Sequence, residues 1–579
     1  MIGLFQETGP CEVIQTSNGS YTTQPRMWGW DRSSNILFID QPVQVGFSYD
    51  SLRNASRDFL TDRYTGAPAS TPRRTPGTFL NGTFASGNQY STANTTHIAA
   101  QSIWYFLQTF LSTFPQYNPG ARANGTVVAS TGVNLFVESY GGIYGPAFAQ
   151  YFEQKNAERA SGQIPAATTL EIKLASLGII NGLVDLLTQM PHYPTFAGNN
   201  TYGIQAIDQL TRLNAVSDFS SPGGCKDLLN QCRQQSVLDA DGNGDVASVN
   251  RLCAQANSVC NRIVNLFSNS GLNVYDIRQK ELTTFPSPAY QEYLNYGSVQ
   301  KAIGTPLNYT ESNVVVQSAF LSTGDEARTN SLEALASLLQ QGIRVAFIYG
   351  DADYICNWAG GEDVSLALAQ RVPAYASFLT AGYAAVIVNS SYIGGVVRQF
   401  GNLSFTRIYD SGHLVPAYQP ETAFTLFTRI ILGKDLGTGK DADLRIFAST
   451  GDRNATQTNS IPPAASPTCW VRAVSETCND RQMNLISEGS GVIHDGIFYE
   501  KESDYTPPSA SGMASKTVQR GSPTNTVAPT GVYVATATPS QKSNASRILL
   551  VPEMVRGNWW VLGMLLSFAS CFMADMFVR

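Results

Sequence analysis

Val137-Glu138-Ser139-Tyr140-Gly141-Gly142 sits between a short β-rich run, Leu135-Phe136-Val137, and a helical stretch that includes Tyr144 to Glu153. A serine between a strand and a helix is exposed on a sharp turn, with the next N–H aimed where an oxyanion develops. The Gly-x-Ser-x-Gly pattern is imperfect, because Val137 stands at its first glycine, and that poses a steric demand on the turn. Tyr349-Gly350-Asp351-Ala352-Asp353 comes off the apolar run Val345–Tyr349, and Ser411-Gly412-His413-Leu414 follows the run Phe405–Ile408. A general base must come from only four histidines. His97 falls in an amphipathic helix, His192 in an insertion and His494 late in the chain, which leaves His413. A serine, an acid and a histidine in this order can perform acyl transfer through a covalent intermediate.

The elements that must position these groups alternate between short β-rich runs and helical stretches. Asn35–Asp40 reads as a buried strand closed by Gln41-Pro42. His97 to Phe110 has helical spacing, with Ile98, Ile103, Phe106, Leu107 and Phe110 on one face. Ile179–Gly182, Val345–Tyr349 and Phe405–Ile408 read as further strands. This alternation predicts an α/β class with a mostly parallel central sheet, and the chain order of the triad is that of the α/β-hydrolase fold. The rhythm breaks at about residue 190. The stretch 190–309 carries four cysteines and reads as a helical cap insertion over the sheet. The core is expected at 1–189 and 310–445, with a disulfide-bearing segment at 446–502.

Composition narrows the function. The net charge of −6 and the absence of a basic stripe argue against nucleic acid as a partner. No Cys-x-x-Cys pair and no phosphate-cradling glycine loop are present, so neither a metal nor a nucleotide cofactor is expected. Cys225, Cys232, Cys253 and Cys260 cluster, and Cys469 and Cys478 form a local pair, as suits an oxidising compartment. Eleven Asn-x-Ser/Thr sites, at Asn18, Asn54, Asn81, Asn94, Asn124, Asn199, Asn308, Asn389, Asn402, Asn454 and Asn544, favour a glycosylated extracellular protein. No signal peptide is visible at Met1. Residues 503–546 are rich in Ser, Thr and Pro and read as a disordered, O-glycosylated stalk. In 547–579 a spacer precedes the apolar run Trp559 to Ala574, which is 16 residues long and short for a bilayer span. This end reads as a signal for a glycosylphosphatidylinositol anchor, attached near Asn544, with a tilted transmembrane helix as the alternative.

Glu138-Ser139-Tyr140-Gly141-Gly142, Asp351 to Trp358 and Ser411-Gly412-His413 resemble the three signature blocks of the serine carboxypeptidases. Phe38-Ile39-Asp40-Gln41-Pro42, Val45 to Tyr49, and Gly3-Leu4-Phe5 with Glu7 and Gly9-Pro10 resemble the same family, and the likeness runs to about residue 435. The C-terminal end is similar to that of a fungal cell-surface branch. The resemblance implies Ser139 as nucleophile, His413 as base and then acid, Asp353 rather than Asp351 as the orienting acid, and the Tyr140 N–H as oxyanion donor. It implies that Glu138 and Glu7 share a proton and bind the terminal carboxylate of a peptide, which favours acidic pH. It further implies that Cys356 is an unpaired thiol beside the substrate pocket, that Leu414 lines that pocket, and that the cap pairs Cys225–Cys260 and Cys232–Cys253. Met1 falls inside a block that in this family begins Asn-Gly-Gly-Pro-Gly, so the chain is expected to be a piece of a longer protein. Cys11 has no evident partner.

The expected function is extracellular release of C-terminal residues from peptides with a free C-terminus, at acidic pH, by a protein held to the membrane through a lipid anchor. The alternatives are a catalytically impaired anchored surface glycoprotein and a serine esterase of the same fold. A carboxylate beside the nucleophile disfavours the esterase.

Overall fold

The computed structural model describes residues 1–66, 74–118, 132–455, 457, 459–507 and the backbone of 565–567. Asn124, Asn544 and nearly all of 508–579 lie outside the described residues.

Six strands build the central sheet: β1 (Val133–Glu138), β2 (Leu174–Ile180), β3 (Arg344–Gly350), β4 (Ala384–Asn389), β5 (Tyr392–Phe400) and β6 (Leu403–Ile408). Their order is β4-β5-β6-β3-β2-β1. The pairs β6·β3, β3·β2 and β2·β1 are parallel, and β4·β5 and β5·β6 are antiparallel. The sheet is therefore mixed but mostly parallel, with an α/β-hydrolase layout. β3 lies between β2 and β6 and is buried along its whole length, as both-face coverage by helices requires. Helices α1 (Thr96–Thr113), α2 (Gly141–Ala160), α3 (Ser331–Gln340) and α4 (Trp358–Arg371) supply one covering layer, joined in one core with Leu135, Leu177, Val345, Phe347 and Phe405. Helix α5 (Pro420–Ile431) packs on the opposite face with Leu426, Phe427 and Ile430 against Ala346 and Ile348.

Two sequence readings change. The strand expected over Asn35–Asp40 forms only at Phe38–Asp40, outside the central sheet, and pairs in parallel with 565–567. The buried face of α1 runs through Ala99, Ala100, Ile103, Trp104, Leu107 and Leu111, while Ile98, Phe106 and Phe110 are half-buried. Small alanines on that face let α1 approach α2, and this rotates the stripe away from the bulkier phenylalanines.

Between β2 and β3 stands the cap. Its helices Cys225–Gln235 and Ala247–Val264 are stapled by Cys225–Cys260 and Cys232–Cys253. It has its own core, which reaches down to Tyr354, Ile355 and Cys356. Cys469–Cys478 closes a second, smaller cluster that packs against Phe59 and Leu80. Order persists past residue 503, where the stalk was expected, because Tyr505 stacks on His494 at 4.0 Å.

Candidate active site

Three strand ends deliver the reactive groups to one edge of the sheet. β1 ends at Glu138, and Ser139 follows with φ +61, the left-handed region that a non-glycine residue enters at a cost of about 1–3 kcal/mol. The turn is over-determined. The Ser139 N–H donates to Ile180 O at 3.1 Å, and the Ser139 carbonyl accepts from Gly142 and Leu183 N–H groups, each at 2.9 Å. Tyr140 caps α2, so its N–H sits at the positive end of a 20-residue helix. Val137 is accommodated because its partner across the turn is Gly145. A Cβ on Gly145 would come within 2.8 Å of Val137 Cγ2.

Asp353 and His413 arrive from the ends of β3 and β6. His413 Nδ1 and Asp353 Oδ2 are 2.7 Å apart, and both residues are buried. The His413 N–H donates to Tyr275 O at 2.9 Å, which fixes the loop from the cap side. Ser139 Oγ and His413 Nε2 are both buried, and among the described residues neither has a hydrogen-bond partner. Asp353 Oδ1 and Glu7 Oε1 are likewise without a partner among the described residues. Asp351 is held elsewhere, by the Tyr202 hydroxyl at 2.7 Å, the Asn459 amide at 2.9 Å and Arg407 at 3.5 Å. Burial nevertheless pushes it up to about 6.

Glu7 and Glu138 hydrogen-bond each other. Burial raises Glu7 above the ordinary carboxylate range, opposed by its bond to Glu138 and by His413 and Arg26. Glu138 is raised well above that range by burial, by the Glu7 charge and hydrogen bond, and by Asp353. Two such carboxyls hold a shared proton and can donate to an anion.

Cys356 is buried and forms no disulfide among the described residues, and neither does Cys11. Asp353, Cys356 and His413 bring potential metal-ligating atoms within 4.8 Å of one another. Two ligands of one tetrahedral ion stand roughly 3.3 Å apart. The 2.7 Å contact between His413 and Asp353 fits a hydrogen bond instead. Leu414 packs beside Leu4, Phe38, Tyr290 and Tyr309, on the side of the site that Glu7 occupies.

Sequence reasoning missed Asn181. It follows β2 with φ +38, and its Nδ2 donates to Asp353 Oδ2 at 2.6 Å. An Asn-Gly step at a strand end is the available signal, but the run Ile179–Gly182 reads as strand and hides it. Among the sequons, Asn18, Asn54, Asn81, Asn199 and Asn454 are exposed, while Asn94, Asn308, Asn389 and Asn402 are half-buried.

The profile of the serine carboxypeptidase family matches residues 1–433. Carboxypeptidase S1 homolog B of Arthroderma otae is 40% identical over 534 residues, covering 90% of this chain and 79% of that one. Carboxypeptidase S1 of Penicillium janthinellum is 34% identical over 440 residues, covering 76% of this chain and 86% of that one. Among solved structures, a prohormone-processing carboxypeptidase from Saccharomyces cerevisiae matches with a TM-score of 0.49 and 19% identity, over 78% of this chain and 83% of that one. With a family profile spanning both halves of the sheet and every segment that meets at Ser139, the chain belongs to the serine carboxypeptidase family.

Proposed function

We propose that this carboxypeptidase acts outside the cell at acidic pH, with Ser139, His413 and Asp353 as its triad. Ser139 Oγ attacks the carbonyl of the last peptide bond while His413 Nε2 takes its proton. The oxyanion accepts the Tyr140 N–H, and Asp353 steadies the imidazolium. His413 then protonates the leaving amino acid, and water hydrolyses the acyl-enzyme by the reverse proton path. The observation that carries the exopeptidase reading is the hydrogen-bonded acid pair, Glu7 and Glu138, one residue from the nucleophile. A proton-sharing pair there can bind a peptide's terminal carboxylate and so set cleavage one residue from the end. Cys356 and Leu414 would wall the pocket for the released residue.

Three disulfides and the exposed sequons support an oxidising, extracellular setting. The sequence of 547–579 supports lipid anchoring near Asn544, to the plasma membrane or the cell wall. The test of the chemistry is release of C-terminal residues from N-blocked dipeptides at about pH 4–6, where such a pair keeps a proton. Ser139→Ala should abolish release. Unchanged release by that variant removes Ser139 from the mechanism. Anchoring is tested by treating cells that express the protein with a phosphatidylinositol-specific phospholipase C, and retention on the cells sinks it.

A further inference from the structure

The Tyr140 side chain has a second attachment that the proposed mechanism does not use. Its hydroxyl donates to Asp325 Oδ2 at 2.7 Å. Asp325 is buried, and its other bonds hold it still. Oδ1 accepts the Thr96 N–H at 2.7 Å, and Oδ2 also accepts the Thr96 hydroxyl. Thr96 is the first residue of α1, so the carboxylate also satisfies a donor at that helix's N-terminus. The Tyr140 ring is flanked by Tyr144 at 5.0 Å and Phe320 at 6.3 Å, both edge-on.

Asp325 is itself anchored from the cap. Gly324, immediately before it, has φ +63 and lies so close to the helix Ala247–Val264 that a Cβ would fall 2.2 Å from the Cys253 carbonyl carbon. Cys253 is one half of the Cys232–Cys253 disulfide. Three residues after Asp325, Arg328 donates to Asp239 Oδ2 at 2.6 Å and to Thr323 O at 2.8 Å. A continuous series of contacts therefore runs from the stapled cap through Gly324 and Asp325 to the Tyr140 hydroxyl and on to the strained turn at Ser139.

We propose that Asp325 is a positioning residue: it holds Tyr140 as a strut between the cap and the nucleophile turn, and so aims the Tyr140 N–H at the oxyanion. A backbone N–H can be re-aimed by small rotations of its peptide plane. The elbow fixes one end of Tyr140, and Asp325 fixes the other. Interactions felt only by the oxyanion change kcat and leave substrate binding alone. The proposal rests on Ser139 being the nucleophile.

The test uses the full chain with Tyr140→Phe, Asp325→Asn and the double variant. Each is assayed by release from a blocked dipeptide, by the rate of labelling with a fluorophosphonate, and by thermal melting. Losing one bond to a charged partner should lower kcat about tenfold in each single variant. KM should stay within about twofold, labelling should slow in parallel, and the double variant should be no slower than the worse single one. Tyr140→Phe keeps the ring and every other bond of Asp325, so it decides the matter alone where Asp325→Asn fails to fold. An unchanged kcat in a natively melting Tyr140→Phe, losses confined to KM, or losses that multiply in the double variant would each overturn the strut. If the wild-type chain neither releases residues nor is labelled, the reading of Ser139 fails and the strut fails with it. Normal wild-type activity beside unaffected variants removes the strut only.

Discussion

Asn181 Nδ2 and Asp353 Oδ2 meet at 2.6 Å, and the same oxygen lies 2.7 Å from His413 Nδ1. Asn181 is rigid in turn. Its Oδ1 accepts the Gly350 N–H at 2.9 Å, and its own N–H donates to Ile348 O at 2.9 Å. The amide therefore selects which carboxylate oxygen faces the imidazole and holds it there. Asn181→Ala should lower kcat about tenfold, the worth of one hydrogen bond to a charged group. KM should change little. Steady-state kinetics on a blocked dipeptide check this, and an unaltered kcat would mean that His413 alone orients Asp353.

The elbow tolerates Val137 because Gly145 leaves room for it. A Cβ on Gly145 would lie 2.8 Å from Val137 Cγ2 and 3.0 Å from Leu177 Cδ1. Gly145→Ala gains about 1 kcal/mol of helix propensity, but it overpacks two sides of a filled core at about 1–3 kcal/mol. The net expectation is a lower Tm, recovered in part when Val137→Ala is added. A Gly145→Ala protein that melts no lower than wild type would show slack behind the nucleophile.

The arrival of Ser139, Asp353 and His413 at one edge of the sheet was legible because strand ends and turn residues carry a local signature: an apolar run, then one of these residues within a few positions. Which partners such residues meet across the fold is not written locally. Asn181 meets Asp353 across 172 residues, and Asp325 meets Tyr140 across 185. The Asn181-Gly182 step marks a turn, but nothing near either residue in sequence names its partner. The β4–β5 pair was missed because Gly394 and Gly395 interrupt its apolar run. The buried face of α1 shifts toward Ala99, Ala100, Trp104 and Leu111, with Ile98, Phe106 and Phe110 packed at its edge.

On the role proposed for the acid pair, substrate binding should depend on pH with a definite sign. Glu7 and Glu138 are both raised, so the folded enzyme keeps their shared proton above the ordinary glutamic range. Loss of that proton leaves carboxylates facing a substrate carboxylate. KM for peptides with a free C-terminus should therefore rise as pH climbs through that region. Glu138→Gln keeps a neutral donor at every pH, and its KM should be higher at acidic pH but nearly flat. A variant whose KM still climbs with pH as in wild type would place the titration on another group.

Glu326 gives stability its own pH dependence. It is buried, its Oε2 has no hydrogen-bond partner among the described residues, and burial beside Asp325 pushes it up to about 8 from 4.5. Between those values the folded protein holds a proton that the unfolded chain releases. Stability should therefore fall as pH rises from 4.5 toward 8 and level off above, by at most about 1.4 kcal/mol per pH unit. Glu326→Gln stays neutral in both states, so its Tm should fall less steeply than wild type over that window. Parallel Tm curves for the two proteins would mean that Glu326 finds a compensating partner.

Sequons alone do not say which asparagines accept a glycan. Asn308 Oδ1 accepts the Thr83 N–H at 3.1 Å, and its Nδ2 donates to Asn295 Oδ1 at 3.1 Å. A sugar on that nitrogen would need the space that Asn295 fills and would displace the bond to Asn295 Oδ1. Asn18, Asn54, Asn81, Asn199 and Asn454 are instead exposed. Enzymatic deglycosylation in heavy-oxygen water, read by peptide mass spectrometry, should mark those five and leave Asn308 unmarked. A mark at Asn308 would mean that the glycan is added before this loop docks and that the docked arrangement then differs.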